Sequence, residues 1–173
     1  MSFSELKLTP QLLVNLYKNV LISTSLSDSS NDNNKIGNEN KITFLGDNKS
    51  KVSIIVNDES AAFIAEEKLQ FLINLLSACK LNIADVAIIN ISNKEIDYHI
   101  IKDQLTPSYI ILMGVDVKKF KLPIIFSKNK VQQFDNCNML ITSDFNELMG
   151  SSDTIKTEKR NLWNALKNLF SLN

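Results

Sequence analysis

The chain is short of the residues with which proteins most often do covalent chemistry or cradle phosphates: its 173 residues include one histidine, two cysteines, three prolines and four glycines. The cysteines are Cys79, in an apolar stretch, and Cys137, in the turn-like sequence DNCN. Neither has metal-ligand spacing or a secretory context, so both are expected as reduced thiols, Cys79 as a packing residue, with no metal and no cofactor. Gly37, Gly46, Gly114 and Gly150 are scattered, which excludes a glycine-rich phosphate loop and any nucleotide-binding motif. Net charge is also missing. Lys plus Arg and Asp plus Glu number 19 each, so no global field draws the protein to a polyanion. No run approaches the ~18 apolar residues that span a bilayer, and MSFSELKLTP has no basic region followed by an apolar one. The expectation is a cytoplasmic protein with no membrane partner.

With 44% hydrophobic residues, the chain can enclose one core. Thr9 and Pro10 are start signals for a helix, and Leu12, Leu13, Leu16, Tyr17 and Val20 recur at three- and four-residue spacing. Residues 1–22 therefore read as a short amphipathic helix. Residues 23–40, rich in Ser, Asn and Asp, bury too little surface to offset the entropy of ordering and read as a flexible linker. Their acids do not make a calcium loop: counted from Asp28, the sixth position is not the glycine that the sharp turn of such a loop needs. A helix this short is marginal alone in water. Its stripe is suited to a groove on a partner protein, and packing back on its own domain is the equal alternative.

Residues 41–173 are expected to form an α/β domain, with ITFLG as an edge or approach segment and Val52 to Val56 as a buried strand. Ser60 to Ala78 predicts one long helix, through Ala62, Phe63, Leu69, Phe71, Leu72, Leu75 and Leu76. Val86 to Ile91 is a nearly continuous apolar run, which marks a strand covered on both faces. Lys94 to Leu105 predicts a weaker helix closed by Pro107, ahead of a strand from Tyr109 to Val115. LPIIFSK, KVQQF and NMLIT predict one or two strands near a sheet edge, and Asn161, Leu162, Trp163, Leu166, Leu169 and Phe170 define a C-terminal amphipathic helix from about Thr154. The right-handed crossover rule assembles these strands into a parallel sheet.

The stretch FLINLLSACKLNIADVAIINIS, with its helix, polar turn and strand of the form asp-val-x-ile-x-asn, resembles the central segment of the uracil-DNA glycosylase superfamily. Pro107, Ile110 and Gly114 repeat the pro-x-x-ile-x-x-x-gly strand of that pattern. The resemblance implies a three-layer α/β/α fold with a mostly parallel central sheet of about four strands. It also implies that a base sits between two loops at the carboxyl ends of the strands. The first loop supplies a water-positioning carboxylate or asparagine and the second, a his-pro-ser loop, a histidine. Here the first loop is Asn57, Asp58, Glu59, Ser60 and Ala61, without glycine, and the second is Leu140 to Asp144, without histidine or proline. The pattern departs where the chemistry should be.

The layout of helix, linker and degenerate domain is similar to that of the psi subunits of bacterial clamp loaders. That likeness implies a non-catalytic protein that contacts clamp-loader or other replication proteins through the stripe at residues 12–20. The alternative is a divergent base-excision glycosylase acting through Asn57 or Asp58, with Phe63 or Phe126 stacking on the base. Asp58 as a base would draw on Glu59 to raise its pKa, whereas acids at that place also cap a following helix. His99 reads as an exposed helical residue rather than part of a triad. Lys118, Lys119, Lys121, Lys128 and Lys130, interleaved with Phe120 and Phe126, are candidates for nucleic-acid contact or form a solvated rim over core phenylalanines.

Overall fold

The computed structural model describes residues 41–92, 96–118, 120–122 and 126–172. The stripe from Leu12 to Val20, the linker at 23–40 and Lys119 lie outside the described residues. Strand β1 (Val52–Val56) is followed by helix α1 (Glu66–Ala78), a 3-10 turn (Ile83–Asp85) and β2 (Val86–Asn90). Helix α2 (Tyr98–Leu105) leads to β3 (Tyr109–Met113), then the strands β4 (Val131–Phe134) and β5 (Cys137–Thr142), the short helix α3 (Phe145–Leu148) and the long helix α4 (Asp153–Phe170).

The protein is α/β, with one five-stranded sheet in the order β2-β1-β3-β5-β4. Parallel pairing joins β1 to β2 and β3, and β3 to β5; only β4 runs antiparallel, against β5. β1 and β2 are buried at every position, as strands covered on both faces must be, and their β-branched composition follows from that. Side chains alternate between two cores. Val52, Ile54 and Val56 face α1 and α4, whose Leu72, Leu76, Leu162, Ala165 and Leu166 complete the first cluster. Ile55, with Ile89, Ile110, Leu112 and Met139, meets α2 through Tyr98 and Ile101 in the second. Because crossovers keep one hand, reversal of direction at β1 sends α1 to one face and α2 to the other. Helices on both faces make three layers.

Several local choices explain the ends of these elements. The predicted long helix from Ser60 begins only at Glu66, because the preceding backbone is committed elsewhere, as described below. The weaker helix starts at Tyr98, capped by the Asp97 carboxylate, which accepts from the Ile100 amide at 3.2 Å, and it stops at Thr106 in left-handed conformation, one residue before Pro107. The approach segment is present: Leu45 bridges Ile88 in both directions, at 2.9 and 2.8 Å, and so covers the β2 edge. The sheet has five strands rather than about four because Asp135 and Asn136, with φ of 50° and 60°, make the two-residue turn of a tight hairpin. NMLIT is thereby an interior strand and KVQQF the edge. No described helix is long and apolar enough to cross a membrane.

Candidate functional site

Ligands in open α/β sheets bind beyond the carboxyl ends of the strands, where the strand order reverses. In this sheet that place lies between β1 and β3. A cleft of about 370 Å³ opens there, lined by Asn57 to Ser60 after β1, Lys68 on α1, Met113 and Gly114 at the end of β3, and Asp144 to Asn146 around the start of α3. The two loops expected from the sequence therefore meet across one cleft.

The first loop is held by two buried polar side chains. Asn90 ends the otherwise apolar β2 and turns its amide under the loop: its Oδ1 accepts from the Asp58 amide at 3.0 Å and the Ser92 amide at 3.1 Å. Its Nδ2 donates to the carbonyls of Asp58 at 2.7 Å and Ala61 at 2.8 Å. Asp58 is 1% exposed and its carboxylate is consumed from within. Oδ1 accepts from the Ser60 amide at 3.1 Å, the Ser60 hydroxyl at 2.6 Å and the Lys68 ammonium at 2.9 Å, and Oδ2 accepts from the Ala65 amide at 2.8 Å. Burial pushes the Asp58 pKa up, but the bonds from Ser60, Lys68 and Ala65 outweigh it and hold the group well below the usual carboxylate range. The expected elevation by Glu59 is thus reversed. A carboxylate so firmly ionised takes up protons poorly, and its contact with Ala65 serves the start of α1, which has no side-chain cap of its own.

The second loop approaches through a glycine. Gly114 has φ +64°, and a Cβ there would lie 2.4 Å from the Cβ of Asp144; only glycine allows β3 to end against this loop. Asp144 in turn caps α3, accepting from the Glu147 amide at 2.9 Å. Behind it, the Ser143 hydroxyl donates to Glu158 at 2.7 Å, and Lys128 bridges Glu147 at 2.7 Å and Glu158 at 3.5 Å. The lining carries three carboxylates, Asp58, Glu59 and Asp144, against the single ammonium of Lys68, a balance that opposes a phosphate in the cleft. Phe145 lies beneath at 5% exposure, with Lys68 5.9 Å from its ring centroid.

Of the other candidates, Asn57 is exposed on the cleft wall. The lysines do not form one patch. Lys121 pairs with Asp97 at the start of α2, whereas Lys128 pairs with Glu158 on α4, the helix of the opposite face. Lys118 and Lys130 are exposed. Phe120 is fully buried and Phe126 packs partly against the α2-side core, while Phe63 is half-buried outside the cleft lining. His99 is exposed on α2. Burial pushes the thiols of Cys79 and Cys137 up to about 11, which makes them inert. No group of three or more His, Cys, Asp or Glu side chains placed to hold a metal occurs among the described residues. Sequence reasoning missed Asn90 and Lys68; a polar residue closing an apolar strand was the available signal for the first, and nothing local marks the second. Compared with protein-family models and with curated proteins, the chain matches none.

Proposed function

We propose that this chain is a non-catalytic protein with a glycosylase-like domain, which mediates protein–protein contacts in DNA replication or repair, and that Leu12, Leu13, Leu16, Tyr17 and Val20 are the segment that engages its partner. The observation that carries the non-catalytic reading is the state of Asp58: four donors occupy the carboxylate, and the basicity they take from it makes it a poor acceptor of a proton from water. The glycosylase-like reading is supported by the sheet reversal at β1 and by the meeting of the two strand-end loops, which is where the resemblance expects a base. The partner reading rests on the sequence layout, similar to that of clamp-loader psi subunits. Affinity purification from the native cell, comparing the intact chain with residues 41–173, tests it: clamp-loader or other replication proteins recovered only with the intact chain are the expected result. Absence of a partner from both preparations overturns it.

One feature favours a second reading, a divergent base-excision glycosylase. The cleft is open and polar, and Asn57 stands on its wall with its side chain available to hold a water. Incubation with duplexes carrying uracil and other altered bases decides between the two. The expected result is no abasic product; excision that is lost in Asn57→Ala establishes the enzyme.

A further inference from the structure

Helices α1 and α4 share one face of the sheet, and their inward side chains close the first core. Their outward residues form one continuous surface, because Leu72, Leu75 and Leu76 of α1 meet Leu162, Leu166 and Phe170 of α4 along the seam between them. The chain carries 19 acids, yet residues 68–82 and 159–172, which supply most of this surface, contain none. The acids of the two helices lie in their first turns, as Glu66, Glu67 and Asp153, or are held elsewhere, as Glu158 is by Ser143 and Lys128. Of the cations in the acid-free segments, Lys68 is paired with Asp58, and Lys159 donates to the Gly150 carbonyl at 3.1 Å. Lys80, Arg160 and Lys167 have no ion pair among the described residues. Three positive charges thus stand unneutralised on one face of a protein whose formal net charge is zero.

An aromatic ring lies among these charges. Arg160, Trp163 and Lys167, the first two being the chain's only arginine and only tryptophan, follow one another at three- and four-residue spacing. They therefore share one stripe of α4, about 10 Å long, turned from the buried side of Leu162, Ala165, Leu166 and Leu169. Trp163 packs on the first core with part of its ring and leaves the rest in solvent. Exposed amides flank the stripe, Asn164 and Asn168 on α4 and Gln70 and Asn74 on α1. Phe170 stacks 5.2 Å from Tyr109 at the start of β3, so α4 ends at the same end of the sheet as α1, with Lys167 and Lys80 near that end. We propose that this face binds single-stranded nucleic acid, Arg160, Lys167 and Lys80 taking phosphates and Trp163 stacking on a base. Binders of single strands combine a track of cations with an aromatic platform, and the amides offer donors and acceptors to base edges without charge that would repel the backbone. An acidic polypeptide would use the cations and leave the tryptophan and the amides without a role. The face is separate from the strand-end cleft, whose carboxylates oppose a phosphate. Three neutralised phosphates make a weak, sequence-independent site, with a dissociation constant of about 1–100 µM and a log-log salt slope of about −2.

Titration of the full chain with oligo-dT of about 12 nucleotides, a length within the range of such sites, provides the test. Because Trp163 is the only tryptophan, its fluorescence reports on this face. The expected result is saturable quenching whose affinity falls with salt at a slope of about −2. Arg160→Ala combined with Lys167→Ala should weaken binding at least tenfold and flatten the slope to about −0.7, the value for one remaining contact. Lys118→Ala combined with Lys130→Ala, which removes two exposed lysines outside these helices, should change neither. The side chains of Arg160 and Lys167 make no described contact that folding needs, and circular dichroism of each variant verifies this. Absence of quenching, quenching that survives the first double substitution, or an equal loss in the second overturns the proposal. Equal quenching by poly-glutamate also overturns it, and assigns the face to an acidic protein instead.

Discussion

Replacing Asp58 by alanine tests whether this carboxylate is a structural fastener rather than a catalytic group. The side chain accepts four hydrogen bonds, two from backbone amides and two from side chains. Ser60 is exposed and Lys68 has 26% side-chain exposure, so their hydroxyl and ammonium regain water when the carboxylate is removed. The Ala65 amide and, in part, the Ser60 amide do not. Hydrogen bonds to a charged acceptor contribute about 1.5–3 kcal/mol each, and a buried donor left alone costs about 1–3 kcal/mol. Counting the two amides, and discounting the two groups that rehydrate, Asp58→Ala should destabilise the domain by about 3–4 kcal/mol. For a domain of this size that is a fall of roughly 10–15 °C in Tm. Asp58→Asn, which keeps one acceptor oxygen, should fall between, and exposed Asn57→Ala should stay within about 0.5 kcal/mol of wild type. The same bonds set a pH dependence. A folded pKa below the ordinary 3.8 means that Asp58 contributes its full stability above pH 4, and that the contribution is lost as pH falls from there towards the folded value. Urea titrations at pH 7 and pH 3 measure both effects. A loss under about 1 kcal/mol for Asp58→Ala at pH 7, or an equal loss at both pH values, would refute the reasoning.

Asn90→Ala should cost about 2–4 kcal/mol, because it strands the buried Asp58 amide and two loop carbonyls; accelerated hydrogen exchange at Asp58 and Ser92 is the local signature. Gly114→Ala meets both a left-handed φ and Cβ contact with Asp144, and should cost about 2–4 kcal/mol in chemical denaturation; a neutral result would mean that the loops do not touch. Cys79 and Cys137, with pKa values near 11, should be silent to a thiol reagent at pH 8 in the folded protein and both react in guanidinium. Reaction of either thiol without denaturant would contradict its burial.

The parts of the fold that could be read in the sequence were those whose environment is uniform along the chain. β1, β2 and β3 are covered on both faces, so their apolar runs needed no tertiary information. Residues 60–65 were misread as helix because Ala62, Phe63, Ile64 and Ala65 suit one, while the actual backbone is claimed by Asp58 and Asn90 from outside the segment; long-range bonds overrode local preference. β4 and β5 were blurred because one is half-exposed and the other interior, although Asp135-Asn136 was a usable hairpin signal. The place of the candidate site followed from acids after a buried strand. Its electrostatics did not, since Lys68 reaches Asp58 across ten residues and Asn90 across 32.

The strand order also prescribes a sequence of assembly. Of the described strands, β1 leaves the ribosome first and occupies the interior of the sheet, so it can serve as the template on which later strands add outwards. β2 joins one side of it, and β3 the other once α2 has crossed over. β4 alone emerges before the strand it must pair with, β5, and sits beyond it. This last strand has no template until β5 has been made and has docked on β3, so the hairpin closes the sheet late. During synthesis the growing sheet therefore presents the outer side of β3 as its unfinished margin, and a pause after residue 136 would leave that margin open.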